Sequence, residues 1–424
     1  MSSRASQDKG WLRVKMKKYK LGDIADFDKK TLSKKDSMDV IEYLDTGSLT
    51  ENIFGPMQVL SRQDAPSRAQ RRVFDKTILY STVRPRLKHY GFMEKPKENV
   101  IVSTGFVTID VKDKFKNVID PYYLYLLLIQ DEITEYLGTI ADTAVSSYPS
   151  LNPSDIQMLE FEFPDLSIQK KIASVPYNID KRIENLRAQN RVLEQTAKTI
   201  YDYTFLQCAG HQTTYNKTLN RNIPADWEVK SVNQMAKSYR GVAYDKSDVQ
   251  KENNGGILVL RGNNIQDNNL VYDGNVVYIP ENLVEDNQHI KKGDIIMTMS
   301  SGSKEHIGKC TMFQYDSKHT YGAFLTKFTP NRECRYYFYM NLISDYFKAK
   351  IKSVCNGTGI NNLTNQTFNE IFFPYPDSKT LDVFEKTVTP IFNKMGVNTK
   401  QIETLTIQRN TLLPLLMTGQ IEVM

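Results

Sequence analysis

The chain has 424 residues, 40% hydrophobic and 25% charged, with a mean hydropathy of −0.47. That composition supports two or three globular domains and excludes a protein dominated by bilayer-spanning segments, which need ~20 apolar residues each. A net charge of +6, from 55 Lys+Arg against 49 Asp+Glu, permits a polyanionic partner without requiring one. Residues Met1 to Lys20 are basic (Arg4, Lys9, Arg13, Lys15, Lys17, Lys18) and lack the apolar run of a secretion signal, so a cytoplasmic location without membrane contact is expected. Cys208, Cys310, Cys334 and Cys355 show no CxxC spacing and the five histidines are scattered. Reduced structural thiols, and neither a metal site nor a cofactor, are expected.

In chain order, a basic tail over 1–17 precedes a β-rich domain over 18–165. Apolar runs there predict strands at Ile78–Val83 and Val100–Val107, and a helix around Pro121–Leu137. A spacer helix over 166–209 follows, then a linker over 210–224 and a second domain over 225–377. In that domain, strands are predicted at Ile257–Leu260, Asn275–Ile279, Ile295–Met299 and Phe324–Phe328, punctuated by Asn, Gly and Asp clusters. A second spacer helix over 378–418 and a tail over 419–424 complete the chain.

The order of elements repeats. Ile41–Leu44 resembles Ile257–Leu260, Ile78–Ser81 resembles Ile295–Thr298, and Gly105 aligns with Gly322. Tyr122–Tyr125 resembles Tyr336–Tyr339, Leu159–Pro164 parallels Ile371–Pro376, and Ile183-Glu184-x-Leu186-x-x-Gln189 recurs as Ile402-Glu403-x-Leu405-x-x-Gln408. Six weak matches in one order, at nearly constant offset, describe a duplication.

The helical part of each copy carries 4-3 spacing: Ile179, Ile183, Leu186, Asn190, Leu193, Ala197 and Ile200, then Ile391, Met395, Asn398, Ile402, Leu405, Arg409, Leu412 and Leu416. Such spacing with charged flanks (Lys181, Arg187, Lys198, Lys400, Gln401) predicts a coiled coil, in which Asn190, Asn398 and Arg409 fix register at a cost in stability. Pro176 and Pro390 are expected at opening turns or a kink, and Pro414 where the second helix frays. The fold class expected is α+β: two mixed, β-rich domains separated by two long helices that pack as an antiparallel coiled coil, with pseudo-twofold symmetry.

Several segments resemble the specificity (S) subunit of type I restriction–modification systems. They are Ile78-Leu79-Tyr80-Ser81-Thr82-Val83-Arg84-Pro85, Val102–Phe106, Ser146–Asn152, Pro164–Ile172 with Gln169, Lys292–Ile296, Gly357–Leu363 and Leu412–Ile421. The resemblance spans Tyr19 to Val423. It implies two target-recognition domains, each reading half of a bipartite, asymmetric site on double-stranded DNA. It also implies spacer helices that set the gap and dock two methyltransferase subunits, with restriction/translocase subunits joining through the complex. The chain itself is then a non-catalytic subunit. The second spacer departs from the pattern, with Thr380-Leu381-Asp382 and no counterpart of Gln169.

A duplex reader needs cations for phosphates and amide or guanidinium groups for base edges. The first domain offers Arg62, Arg68, Arg71 and Arg72 in one loop, then Arg84, Arg86, Lys88 and His89 after a strand. The second offers Arg240, Tyr244, Arg261, Asn263, Asn264, Ser301, Ser303, Lys304, Asn361 and Asn362. Solvated loops and Asn-Gly turns are the bland reading of the same residues; the collective expectation is that the two domains differ and read different half-sites.

Enzyme signatures fail on inspection. Gly302 to Lys309 has five residues between its glycines and Cys310 where a phosphate loop needs Ser or Thr. Asn152-Pro153-Ser154-Asp155 lacks the second proline and the aromatic of an amino-methyltransferase motif, and Asp226 with Glu228 and Lys230 lacks the upstream acidic partner of a nuclease site. A stand-alone methyltransferase or nuclease with an unrecognised site, or a scaffold for two protein clients, are the alternatives.

Overall fold

A computed structural model of the chain describes residues 16–33, 36–143, 149–207, 211–250, 255–266, 268–270, 276–302, 306–358, 362–421 and 423. The fold is α+β and divides into two compact units, one of residues 1–183 and 404–424, the other of residues 184–403. Each unit holds one β-rich domain together with segments of both long helices.

The first unit is built on a four-stranded antiparallel sheet in which Thr77–Ser81 and Phe106–Val111 are the inner strands, flanked by Ala25–Phe27 and Tyr90–Met93. Every residue of the inner strands is buried, because the sheet is covered on both faces. A second sheet places Val40–Leu44 between Gln58–Ser61 and Val100–Ser103, with Ala69–Arg72 at its edge. Val100–Val107, expected as one strand, is thus two strands in different sheets, turned at Thr104–Gly105. The helix expected at Pro121–Leu137 is also two, Pro121–Leu128 and Asp131–Asp142.

The second unit repeats this plan. Ile295–Thr298 and Leu325–Pro330 are inner strands flanked by Ala236–Arg240 and Cys310–Met312, and Ile257–Leu260 pairs with Val277–Ile279 and Thr320–Tyr321. Among the described residues, the Ala69–Arg72 strand has no counterpart here. Registers correct one of the matches made from sequence. Phe106 opposes Ser81 and Leu325 opposes Thr298, so the equivalent of Gly105 is Phe324, while Gly322 takes the place of Ser103. Cys310, Cys334 and Cys355 are buried thiols; Cys208 lies outside the described residues.

The long helices are Leu166–Tyr201 and Ser378–Met417, 36 and 40 residues, or about 54 and 60 Å at 1.5 Å per residue. Pro176, Pro390 and Pro414 all lie inside them rather than at their starts. Within the second unit they run antiparallel. Asn398 Nδ2 donates to Asn190 Oδ1 at 2.9 Å, Asn190 Nδ2 reaches Thr399 Oγ1 at 3.3 Å, and Tyr201 packs on Phe384. Ile183, Leu186, Ala197 and Leu416 are buried, while Ile179, Leu193, Ile200, Ile402, Leu405, Leu412 and Arg409 are partly so. The stripe of the second helix begins before Ile391: Leu381, Phe384 and Val388 continue the same spacing towards the helix start and, with Phe392 beside them, enter the second domain's core.

In the first unit the register-fixing contact is ionic. Arg409 Nη1 lies 3.0 Å from Asp180 Oδ1, and Asp180 Oδ2 accepts from Tyr122 OH at 2.7 Å. Buried charge is tolerable only with such partners. Lys181, expected on a merely solvated face, pairs with Glu94 at 2.7 Å.

The missing Gln169 counterpart has a structural answer. Gln169 is fully buried; its Oε1 accepts from Asp120 N–H at 2.9 Å, at the start of helix Pro121–Leu128, and its Nε2 donates to the Val118 and Pro164 carbonyls. In the second unit Glu385 does this work from further along the helix, accepting from Tyr336 and Tyr337 N–H at 2.8 and 2.9 Å. These are donors of the equivalent helix Arg335–Leu342 that no residue of that helix can satisfy. Asp377 meanwhile caps the second spacer through Lys379 and Thr380 N–H.

Asn398→Leu leaves Asn190 Oδ1 buried without its donor and should cost about 2 kcal/mol in urea unfolding of the second unit; adding Asn190→Leu should recover part of that loss. A second expectation concerns pH. Burial pushes the Glu385 carboxyl up from 4.5 to about 7, against the opposing pull of the Tyr337 and Tyr336 N–H groups and Arg335. Between those values the folded chain holds a proton that the unfolded chain has released, so this group makes stability fall as pH rises through that window. Glu385→Gln should flatten the decline in melting temperature measured from about pH 5 to about pH 8.

Candidate nucleic-acid interface

Each copy contains the same backbone junction at one end of its main sheet. In the first, Thr82 N–H donates to the Gly105 carbonyl at 2.9 Å, Leu151 N–H donates to the Thr82 carbonyl at 2.7 Å, and Val83 bridges Ser150. In the second, Met299 N–H donates to the Phe324 carbonyl at 2.9 Å, Leu363 N–H donates to the Met299 carbonyl at 2.8 Å, and Ser300 bridges Asn362. The junction ties a turn, the end of an inner strand and a third segment, Ser150–Leu151 in the first copy and Asn362–Leu363 in the second. All of these bonds are between backbone groups, so the side chains at these positions can differ between copies.

Around the first junction stand Arg84, exposed at φ 48°, and Arg68, exposed, whose carbonyl accepts from Thr104 N–H at 2.9 Å. The Arg68 guanidinium makes no ion pair among the described residues. Several further cations expected there are paired within the fold. Arg71 and Arg72 lie on strand Ala69–Arg72 and not in a loop; Arg71 pairs with Asp28, and Arg72 with Asp36 at 3.2 Å, all of them largely covered. Arg62 donates to the Asp36 and Ser33 carbonyls. Arg86 is held by Glu135 at 2.9 Å and Asp142 at 2.7 Å, and Lys88 by Asp131 at 2.8 Å and Glu51 at 3.6 Å. His89 Nδ1 faces the Leu49 carbonyl and Thr50 Oγ1. Arg86 and Lys88 thus clamp turn Pro85–Leu87 onto helix Asp131–Asp142, which carries three of the four acidic partners.

Around the second junction the predicted residues converge more closely. Gly241 N–H donates to the Leu325 carbonyl and Val242 N–H to the Tyr321 carbonyl, which brings Arg240 and Tyr244 beside the Gly322–Phe324 turn. Arg240 makes no ion pair among the described residues, its carbonyl accepting from Gln288 Nε2. Ser301 follows the bridge residue Ser300, and Asn362 is exposed opposite it. Arg261 immediately precedes the short helical turn Gly262–Asn264, in which Asn263 is exposed. Asn264 is buried in that turn, 1% exposed, and its Oδ1 accepts from Arg261 N–H at 2.9 Å. Ser303, Lys304 and Asn361 lie outside the described residues.

Sequence reasoning misses Phe324, because the apolar run Phe324–Phe328 makes it the first residue of a strand. It is the turn residue before the strand and is 70% exposed. Only the strand register reveals it as the counterpart of Gly105.

The family model described as the type I restriction modification DNA specificity domain matches residues 13–195 and again 224–406. The chain is 23% identical over 472 residues to the type I restriction enzyme HindI specificity subunit of Haemophilus influenzae, covering 96% of this chain and 99% of that one. It is 26% identical to the type I restriction enzyme MjaIX specificity subunit of Methanocaldococcus jannaschii, over 83% of this chain and 79% of the other. A crystal structure of the type I restriction–modification S subunit from M. genitalium shares the fold, with a TM-score of 0.50 at 17% identity over 95% of this chain and 96% of that one. Two copies of one domain, matched by a family model across most of the sequence, place this chain in the type I restriction–modification DNA specificity family.

Proposed function

We propose that the chain is the non-catalytic, sequence-reading subunit of a type I restriction–modification complex, and that each domain reads one half of a bipartite, asymmetric site on double-stranded DNA. The observation that carries this reading is the pair of backbone junctions: one scaffold displayed twice, with different side chains on it. Around the first stand the arginines Arg68 and Arg84; around the second stand Arg240, Tyr244, Arg261, Asn263, Ser301 and Asn362. Arginine pairs bidentately with guanine and asparagine with adenine, so unlike surfaces select unlike half-sites. In this reading the long helices set the number of unread base pairs and offer the docking surface for methyltransferase subunits, through which restriction subunits join. Residues 18–165 and 225–377 are the target-recognition domains, and 166–209 and 378–418 the spacers. No helix among the described residues is long and apolar enough to cross a membrane.

Sequencing of methylated bases in cells that carry the chain with its partner subunits should return one bipartite motif; methylation without a split motif would overturn the reading. For the purified chain, DNA affinity should fall steeply with salt. Arg68→Ala should reduce the log–log salt slope by about 0.9, the loss of one phosphate contact, with melting unchanged. Arg71→Ala, which leaves the largely covered Asp28 carboxylate without its guanidinium, should instead lower the melting temperature.

A further inference from the structure

The turn in the second junction carries a phenylalanine, and single exposed apolar side chains are ordinary on protein surfaces. Three observations set Phe324 apart. First, its backbone is fixed: its carbonyl accepts from both Met299 N–H at 2.9 Å and Ser300 N–H at 3.3 Å. The ring is therefore displayed from a rigid turn, at 70% exposure. Second, the two copies exchange bulk at this point. In the first copy a Cβ on Gly105 would lie 2.5 Å from Thr46 Oγ1, so no side chain fits there unless Thr46 moves. In the second copy the position equivalent to Thr46 is Gly262, which opens the short helical turn after Ile257–Leu260 as Thr46 opens the one after Val40–Leu44. Glycine opposite threonine has become phenylalanine opposite glycine. Third, the neighbourhood is polar. A Cβ on Gly241 would fall 2.1 Å from the Gly322 carbonyl oxygen, so only glycine allows the approach that brings Arg240 and Tyr244 beside this turn. The ring is thus an apolar point among hydrogen-bonding groups, as a reader of mixed base edges requires.

Resting on the DNA-reading function proposed above, we propose that Phe324 is a specificity-determining residue for the second half-site, its ring packing on the C5-methyl group of a thymine in the major groove. The methyl group is the apolar feature that distinguishes thymine at a base edge, and cytosine and the purines offer none. The first domain, with glycine at the same point, makes no such contact and depends on its arginines.

The test uses the chain assembled with its methyltransferase subunits, on a duplex bearing the site found by methylation sequencing. Each thymine of the second half-site is replaced in turn by deoxyuridine, which removes only the methyl group. Wild type should lose about fourfold in affinity at one position, the worth of one buried methyl. Phe324→Ala should bind the thymine and deoxyuridine duplexes equally. It should be about tenfold weaker than wild type on the intact site and no weaker on a duplex whose second half-site is scrambled. Phe324→Leu, still apolar, should retain part of the thymine preference, and unchanged melting of both variants excludes misfolding. The proposal is overturned if wild type never distinguishes thymine from deoxyuridine, if Phe324→Ala distinguishes them as wild type does, or if its loss is the same on the scrambled duplex. A ring that wedges between base pairs from the minor groove gives that first result together with Phe324-dependent bending of the DNA. Absence of any sequence preference in wild type defeats the underlying DNA-reading function instead.

Discussion

One residue's backbone, Thr82 in the first copy and Met299 in the second, is held from both sides: its N–H is donated to a turn and its carbonyl accepts from Leu151 N–H or Leu363 N–H. The displayed surface depends on this clamp. Backbone bonds make no demand on side chains beyond allowed dihedral angles, so the geometry survives when Thr82 becomes Met299 and Val83 becomes Ser300, and when Gly105 becomes Phe324 with Gly262 in the place of Thr46. A fixed frame with free decoration is what a family of readers needs if specificity is to change without loss of the fold. The unlike side chains of two copies within one chain show that freedom directly.

The frame is supported from behind by the spacer helices, and here the two copies reach one end by different chemistry. Helix Pro121–Leu128 takes an acceptor from Gln169, a neutral amide that carries no charge into the core. Helix Arg335–Leu342 takes its acceptor from Glu385, whose carboxyl is driven toward the neutral form by burial. The contacts between helices differ in the same way: an amide pair, Asn190 with Asn398, in the second unit, and an ion pair, Arg409 with Asp180, in the first. Polar contacts of this kind contribute little net stability, but a slipped register would leave each of them unpaired in a buried site, which makes the native pairing the favoured one.

How much of this was legible in the sequence follows from the range of the interactions involved. The duplication, the β-rich domains and the long helices were legible because they rest on local periodicity and on order along the chain. Asn190, Asn398 and Arg409 stood out as polar interruptions of an apolar stripe. What was not legible depends on contacts between distant segments. At the offset that matches Leu159 to Ile371, Gln169 falls on Leu381, and Glu385 stands about one helical turn further on. Alignment of the copies therefore passes over it, and its acceptor role shows only when the Tyr336 and Tyr337 N–H groups are seen at its carboxylate. Arg71 and Arg72 read as loop cations because their strand is short and polar, and Asp28 and Asp36, which neutralise them, come from another part of the domain.

The fate of the first domain's cations bears on the DNA-reading function proposed for it. Of the arginines and lysines clustered there, Arg71, Arg72, Arg86 and Lys88 are each paired with carboxylates of the same unit. Recruiting such a group to a phosphate means breaking an existing pair and exposing its acidic partner to the same phosphate, so the exchange returns little free energy. Arg68, with no ion pair among the described residues, has no such cost to meet. A net charge of +6 over 424 residues is therefore a poor guide to the binding surface. For the proposed function what matters is which guanidinium groups make no ion pair beside the clamped turn, and among the described residues of the first domain Arg68 is such a group while Arg71, Arg72 and Arg86 are not.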